Sequence, residues 1–311
     1  MTTVEQQQVP VSGVRRNDGR RERSLTHPRR TGVLLVVPAI VFVVVFSLAP
    51  LVVAIVISLT NFPLIGTYRF VALDNYIGAF TDPTFGQAIL YTLIYTAIVT
   101  LPILVLGYLL AVLVRRKRRG TTLLRTVLFI PYVVGLTTLT FFLVLEAQPN
   151  SGAVNIVLRG LGVTDGSTAW VTSGPLATVL ICVMVVWGVA GLTMVLLMSS
   201  MQGVSADVYE SAQMDGASWW QAETRITIPL VRRTIALSLI ISVIGSFLAF
   251  NQFFILTQGG PGTETTTAVV NIYNRAFVQL QLGASSAQSV LLVVVIALIT
   301  VAQFWLLREK D

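Results

Sequence analysis

The sequence predicts an all-α, polytopic membrane protein with six transmembrane helices. Three observations carry that prediction. Of the 311 residues, 54% are hydrophobic and 11% charged, less than half the roughly 25% charged content of soluble domains. Six stretches lack Asp, Glu, Lys and Arg and are long enough to cross a bilayer. The basic residues fall almost entirely on one side of those stretches. So few charges cannot cover a globule, and lipid must be the solvent for much of the surface. The composition also excludes a disordered chain. Cys182 is the single cysteine, so no disulfide forms within the chain. The only histidine, His27, lies far from it in sequence, which excludes a Cys/His metal centre.

Residues 1–30 read as a basic, polar tail. Six uncharged stretches follow, at 31–68, 83–114, 126–145, 166–206, 234–263 and 276–307. About 20 apolar residues make one crossing helix, which predicts helices near 33–60, 86–114, 122–147, 176–201, 234–256 and 285–307. Barrel strands would be about ten residues long and alternate in polarity. Pro38 and Pro50 are kink candidates in the first helix. The first apolar run begins after thirty polar residues and lacks a small-x-small site at its end, unlike a cleavable signal peptide.

Lys and Arg set the orientation. With the N-terminus in the cytoplasm, 18 of the 21 fall inside, and Arg69, Arg159 and Arg275 fall outside. This positive-inside pattern places both termini in the cytoplasm. It also accounts for the net charge of +7 without any nucleic-acid partner.

Chemistry inside the bilayer lacks its usual groups. Glu146, at the outer end of the third helix, is the only acid at membrane level, so buried acid relays of the kind ion-driven transporters use are absent. No G-x-x-x-x-G-K-[ST] occurs, and the lysines are Lys117 and Lys310 alone. The chain is therefore expected not to be an enzyme. Energy for uphill movement must come from another polypeptide.

The segment 202–233, between the fourth and fifth helices, is the longest internal cytoplasmic loop. Ser205 suits a helix N-cap with Asp207 in the first turn. Tyr209, Ala212 and Gln213 recur at helical spacing. Gly216 suits a left-handed stop, and Pro229 marks the next boundary. The expected shape is a short helix, a glycine hinge and a second short helix running into the fifth span.

Glu210-Ser-Ala212, Asp215-Gly216-Ala217 and Ile226-Thr-Ile-Pro229 resemble the "E-A-A, three residues, G, nine residues, I-x-L-P" loop of ABC importer permeases. Ser211 and Ile228 depart from that pattern. A second stretch, Thr257-Gln-Gly259-Gly260-Pro261 with Thr265, Tyr273, Phe277, Gly283, Ser286 and Ala287 after it, resembles carbohydrate-uptake permeases of the maltose and glycerol-phosphate type. Gly152, Asn155, Leu158 and Gly162, and also Asp74-Asn75-Tyr76, match that group too. The resemblance spans 31–307.

The resemblance implies the type I ABC importer transmembrane fold over 31–311 and two permease subunits, here a heterodimer with a related chain. It implies two cytoplasmic ATPase subunits that bind ATP and Mg, an extracytoplasmic sugar-binding protein, and residence in the bacterial cytoplasmic membrane. No cofactor is expected in this chain. Glu210, Ala212, Asp215, Gly216 and Pro229 become candidates for ATPase coupling. Trp187, Phe250, Asn251, Gln252, Phe253 and Glu146 become candidates for the substrate pathway. For Asn251 and Gln252 the competing reading is an interhelical hydrogen bond. For Glu146 it is a solvated helix end. The expected cargo is a di- or oligosaccharide. The alternatives are a non-sugar solute such as glycerol phosphate or an amino sugar derivative, and a membrane scaffold without transport.

Overall fold

The computed structural model describes residues 29–63, 66–116 and 118–307. Most of the expected basic tail, together with Lys117, Arg308 and Lys310, lies outside the described residues. Contacts divide the chain into two units, residues 1–51 and 52–311. In the first, the helix α1 (Leu34–Ser58) begins. A π turn at Val44–Leu48 lies inside it, just ahead of Pro50.

The second unit carries α2 (Asp74–Thr81), α3 (Pro83–Val114), α4 (Thr121–Val134), α5 (Leu136–Glu146), α6 (Ala153–Gly160) and α7 (Gly174–Gln202). It continues with α8 (Ala206–Met214), α9 (219–247), α10 (Asn251–Leu256), α11 (Ala268–Tyr273) and α12 (Leu282–Leu307). Among the described residues five helical runs are long and apolar enough to cross a membrane, and α4 with α5 makes a sixth if the bent pair is one span. The axes of α4 and α5 meet at 88°.

That bend corrects the continuous third helix expected at 122–147. Gly135 sits at φ +83°, ψ 147°, outside the helical region, and Pro131 lies four residues before it. A residue with positive φ ends a helix readily only when it is glycine.

The fifth helix differs at both ends. It begins at Trp219, not 234, and passes straight through Pro229. A π turn at Glu223–Thr227 precedes the proline, with the Ile228 amide bonded to the Glu223 carbonyl. Such a turn widens the helix where a proline lacks its donor and crowds the preceding carbonyl. Pro50 stands in the same position after its own π turn. Pro229 therefore marks a change of helix type, not a boundary. Farther on, Leu248–Phe250 interrupt the helix before α10.

The core lies between α3 and α7. Tyr95, Val99, Ile103, Ile181 and Val185 are buried there, with Phe253 of α10 packed against them. Small residues let the helices approach closely. A Cβ on Gly107 would strike Thr193, and one on Gly191 would strike the Leu128 carbonyl, the small-residue packing common in membrane bundles.

Candidate functional site

The loop between α7 and α9 is built from local capping rules. The Ser205 side chain accepts from the Asp207 amide at 3.4 Å and starts α8. Asp215 closes it and Gly216 follows at φ +77°. The Gly216 amide donates to Gln213 O at 3.0 Å, and the Ala217 amide to Ala212 O at 2.9 Å. These two bonds form a Schellman stop. Ser218 and Gln221 then form a reciprocal capping box that starts α9.

Between α8, the ends of α3 and α7 and the start of α9 lies a cleft of about 560 Å³. Tyr209, Glu210, Ala212 and Gln213 line its α8 side. None of the α8 side chains is buried, and Met214 at its end is 88% exposed. An apolar knob on a capped helix suits a partner's groove. Sequence reading passed over Met214. Its signal was an unbranched apolar residue just before the glycine stop.

In the wall of the cleft sits a cluster built on Arg115, which the sequence analysis counted only as orientation charge. Glu223 is 2% exposed. It pairs with Arg115 through both oxygens, the Nη1 contact being 3.3 Å. Tyr108 donates its hydroxyl to Glu223 Oε2 at 2.9 Å. The Arg115 guanidinium also lies 5.7 Å from the Tyr209 ring centroid, within cation–π range. The Tyr209 and Thr227 hydroxyls are 3.2 Å apart. Gln202 donates to Arg115 O at 3.0 Å, and Arg125 donates twice to Val114 O. The available signal was Glu223 itself, the sole acid between 216 and 233.

The substrate-pathway candidates separate. Phe253 is wholly buried between the rings of Tyr91 and Tyr95. Gln252 is buried and donates to the Tyr95 hydroxyl at 3.3 Å. Both side chains lie on the face that α10 turns into the core. Asn251 points the other way. It is exposed and donates to Thr137 Oγ1 of α5 at 2.9 Å, just past the Gly135 break. Phe250 stacks on Phe254 and touches the Tyr273 ring.

Trp187 is 56% exposed and shares an apolar cleft of about 860 Å³ with Glu146, Phe142, Val157 and Met184. Glu146 is an exposed helix end whose Oε2 accepts from the Ala153 amide at 3.0 Å. That bond caps the first turn of α6.

At the opposite end, Gly259, Gly260 and Pro261 form a loop with a cis Gly260–Pro261 bond. Thr265 donates to Gly260 O at 2.6 Å, and Thr266 to Gly259 O at 3.1 Å. Asn155 is buried and donates to the carbonyls of Gln148 and Thr168, both at 3.0 Å, while accepting from Trp170 Nε1. Asn75 donates to the carbonyls of Ser58 and Thr60. These motif residues are staples for loop backbone.

Among the described residues no group of three or more His, Cys, Asp or Glu is placed to hold a metal.

Residues 103–309 match the family described as "Binding-protein-dependent transport system inner membrane component". The lactose transport system permease protein LacF of Rhizobium radiobacter is 30% identical over 285 residues, covering 90% of this chain and 94% of that protein. The diacetylchitobiose uptake system permease protein NgcF of Streptomyces coelicolor is 32% identical over 289 residues, covering 88% and 82%. A chain of a bacterial alginate ABC transporter, crystallised with its alginate pentasaccharide-bound periplasmic protein, superposes with a TM-score of 0.79 at 22% identity, covering 90% of this chain and 95% of that one. The last likeness establishes the shared fold. With a family match over more than half its length, the chain belongs to the inner-membrane components of binding-protein-dependent transport systems.

Proposed function

We propose that this chain is one permease of an ATP-driven sugar importer, paired with a second, related permease. ATP and Mg bind to two separate ATPase subunits on the cytoplasmic side, and an extracytoplasmic binding protein delivers the sugar. Both termini face the cytoplasm, where loop 202–233 meets the ATPase. Loops 61–85, 148–174 and 257–283 face outward. The observation that carries this reading is α8, a helix with no buried side chain that ends in an exposed Met214 on a glycine stop. Closure of the ATPases moves α8, and the permease pair switches between inward- and outward-facing states. Glu210 and Asp215 contribute polar contacts around that knob. The relatives named for lactose and diacetylchitobiose uptake support a di- or oligosaccharide as cargo.

Asn251, Thr137 and the Phe250–Tyr273 rings are the proposed sugar-facing groups. An exposed amide at membrane depth needs a polar or water-filled neighbour, and aromatic rings suit sugar faces. The test is reconstitution with the partner subunits and uptake of radiolabelled lactose and diacetylchitobiose. Met214→Glu should abolish ATPase co-purification. Retained co-purification would remove the proposal's main support. Orientation is checked with an impermeant thiol reagent on intact cells expressing Asp165→Cys or Arg119→Cys in a Cys182→Ala background. Labelling at 119 but not at 165 would reverse it.

A further inference from the structure

Two points in the chain between the docking helix and the membrane interrupt regular α-helix. Gly216 joins α8 to α9 in open space, with nothing within 4 Å of the position its Cβ would take. The first turn of α9 runs into a π turn, a helix form used in single turns and often at functional sites. Hydrophobic packing cannot brace α8, because none of its side chains is buried. A push on α8 would then be absorbed by rotation about Gly216.

One guanidinium spans that region. Arg115 follows the last residue of α3 and pairs with Glu223 in the π turn. Its side chain also lies over Tyr209 of α8. Tyr209 in turn reaches Thr227, at the other end of the same π turn. Tyr108, two turns back on α3, holds the second oxygen of Glu223. The contacts therefore form a closed triangle of α3, α8 and the head of α9, with charged or hydroxyl groups on every side. A buried carboxylate bonded on both oxygens is held in one geometry, because any departure leaves charge unpaired.

We propose that Arg115 and Glu223 form a strut that makes α8, the end of α3 and the head of α9 move as one body. Displacement of the docking helix then reaches two spans together. Arg115 and Glu223 are positioning residues in this scheme. It rests on the reading of α8 as the ATPase-docking helix.

The test is a distance measurement on the complete, reconstituted transporter. Nitroxides are placed through Val208→Cys on α8 and Leu113→Cys on α3, in a Cys182→Ala background, and read by pulsed EPR without nucleotide and after trapping with ATP and vanadate. The strut predicts one narrow distance, unchanged between the two states. Glu223→Gln keeps the shape and removes the charge. It should broaden the distribution and let the distance shift between states by about one helical turn, ~5 Å. Tyr209→Leu leaves the charge pair intact but cuts α8 from it, and should have the same effect. It serves also if the Glu223 variant fails to insert. A distance that stays narrow and equal in both states in these variants would overturn the strut. An unaltered chain that binds no ATPase at all would instead overturn the docking assignment.

Discussion

The two ends of the molecule are held together in different ways. At the loop end, the ties run between side chains of separate helices and centre on a buried ion pair, Arg115–Glu223. At the opposite end, most ties run from a side chain to nearby backbone. Asn155, Asn75, Thr265 and Thr266 each satisfy carbonyls of their own or an adjoining loop. An ion pair there, Asp82–Arg275 at 3.3 Å, leaves Arg275 29% exposed. These staples anchor backbone to a neighbouring segment, and a few, such as Asn75 of α2 on Ser58 O and Ala268 N on Thr92 Oγ1, also join helices through neutral groups. The geometry of a buried charge pair depends on all the helices that supply it. The two ends therefore differ in the chemistry of their ties, a charged pair at one and mainly neutral hydrogen bonds to backbone at the other.

The largest expected effect breaks the charged tie. Glu223→Ala leaves Arg115, whose side chain is only 14% exposed, without its carboxylate; for a fully buried pair such a loss costs about 3–5 kcal/mol, which is the upper bound here. Purified in detergent, this variant should lose most of its folded yield. A yield near that of the unaltered chain would mean that the pair is solvated. Next comes a backbone contact at the far end. A Cβ on Gly283 would fall inside the Thr60 carbonyl oxygen, so Gly283→Ala forces the start of α12 away from the 59–63 segment. Overpacking of this kind costs about 1–3 kcal/mol and should lower the midpoint of thermal aggregation. ATPase co-purification should persist, because the loop end is untouched.

Gly216→Val separates conformation from contact. Nothing lies within 4 Å of the Cβ that would be added, so the main cost is the left-handed backbone, about 1–2 kcal/mol. The variant should insert and remain folded while uptake is lost through a misaimed α8. Normal uptake would mean that the Schellman turn does not aim the docking helix.

Much of this was legible in the sequence. The capping residues Ser205 and Gly216 act within four residues of themselves, so their roles follow from local chemistry. The spans followed from uncharged length. What was not legible depends on where distant residues meet. Gly135 is one of 23 glycines, and nothing nearby says that it turns the helix axis by 88°. Gln252 and Asn251 are adjacent amides, yet one bonds Tyr95 in the core and the other Thr137 across the break. Only the rotation of α10 separates them, and the short break at 248–250 sets that rotation. Glu223 and Arg115 are 108 residues apart, and charge counting used Arg115 only for its sign.

The smallest expected effect tests the far-end ion pair. Asp82 also caps α3, accepting from the Thr84 amide at 2.9 Å. Asp82→Asn keeps that cap, since Asn and Asp are comparable N-caps, and removes the charge that faces Arg275 and strengthens the Thr84 hydrogen bonds. A partly exposed pair of this kind is worth about 0.2–1 kcal/mol, well below the Glu223 effect. The pH dependence identifies the source. Partial burial works to raise the Asp82 pKa, but hydrogen bonds from the Thr84 side chain and backbone, with the Arg275 charge, outweigh it and hold the carboxyl below its usual range. A depressed folded pKa contributes stability that is present above the unfolded value, about 3.9, and is lost as pH falls through the folded value. The aggregation midpoints of the two proteins should therefore differ slightly near neutral pH and converge only in strong acid. A difference that stayed constant down to that range would assign the effect to the cap and leave the far end without any charge-borne tie.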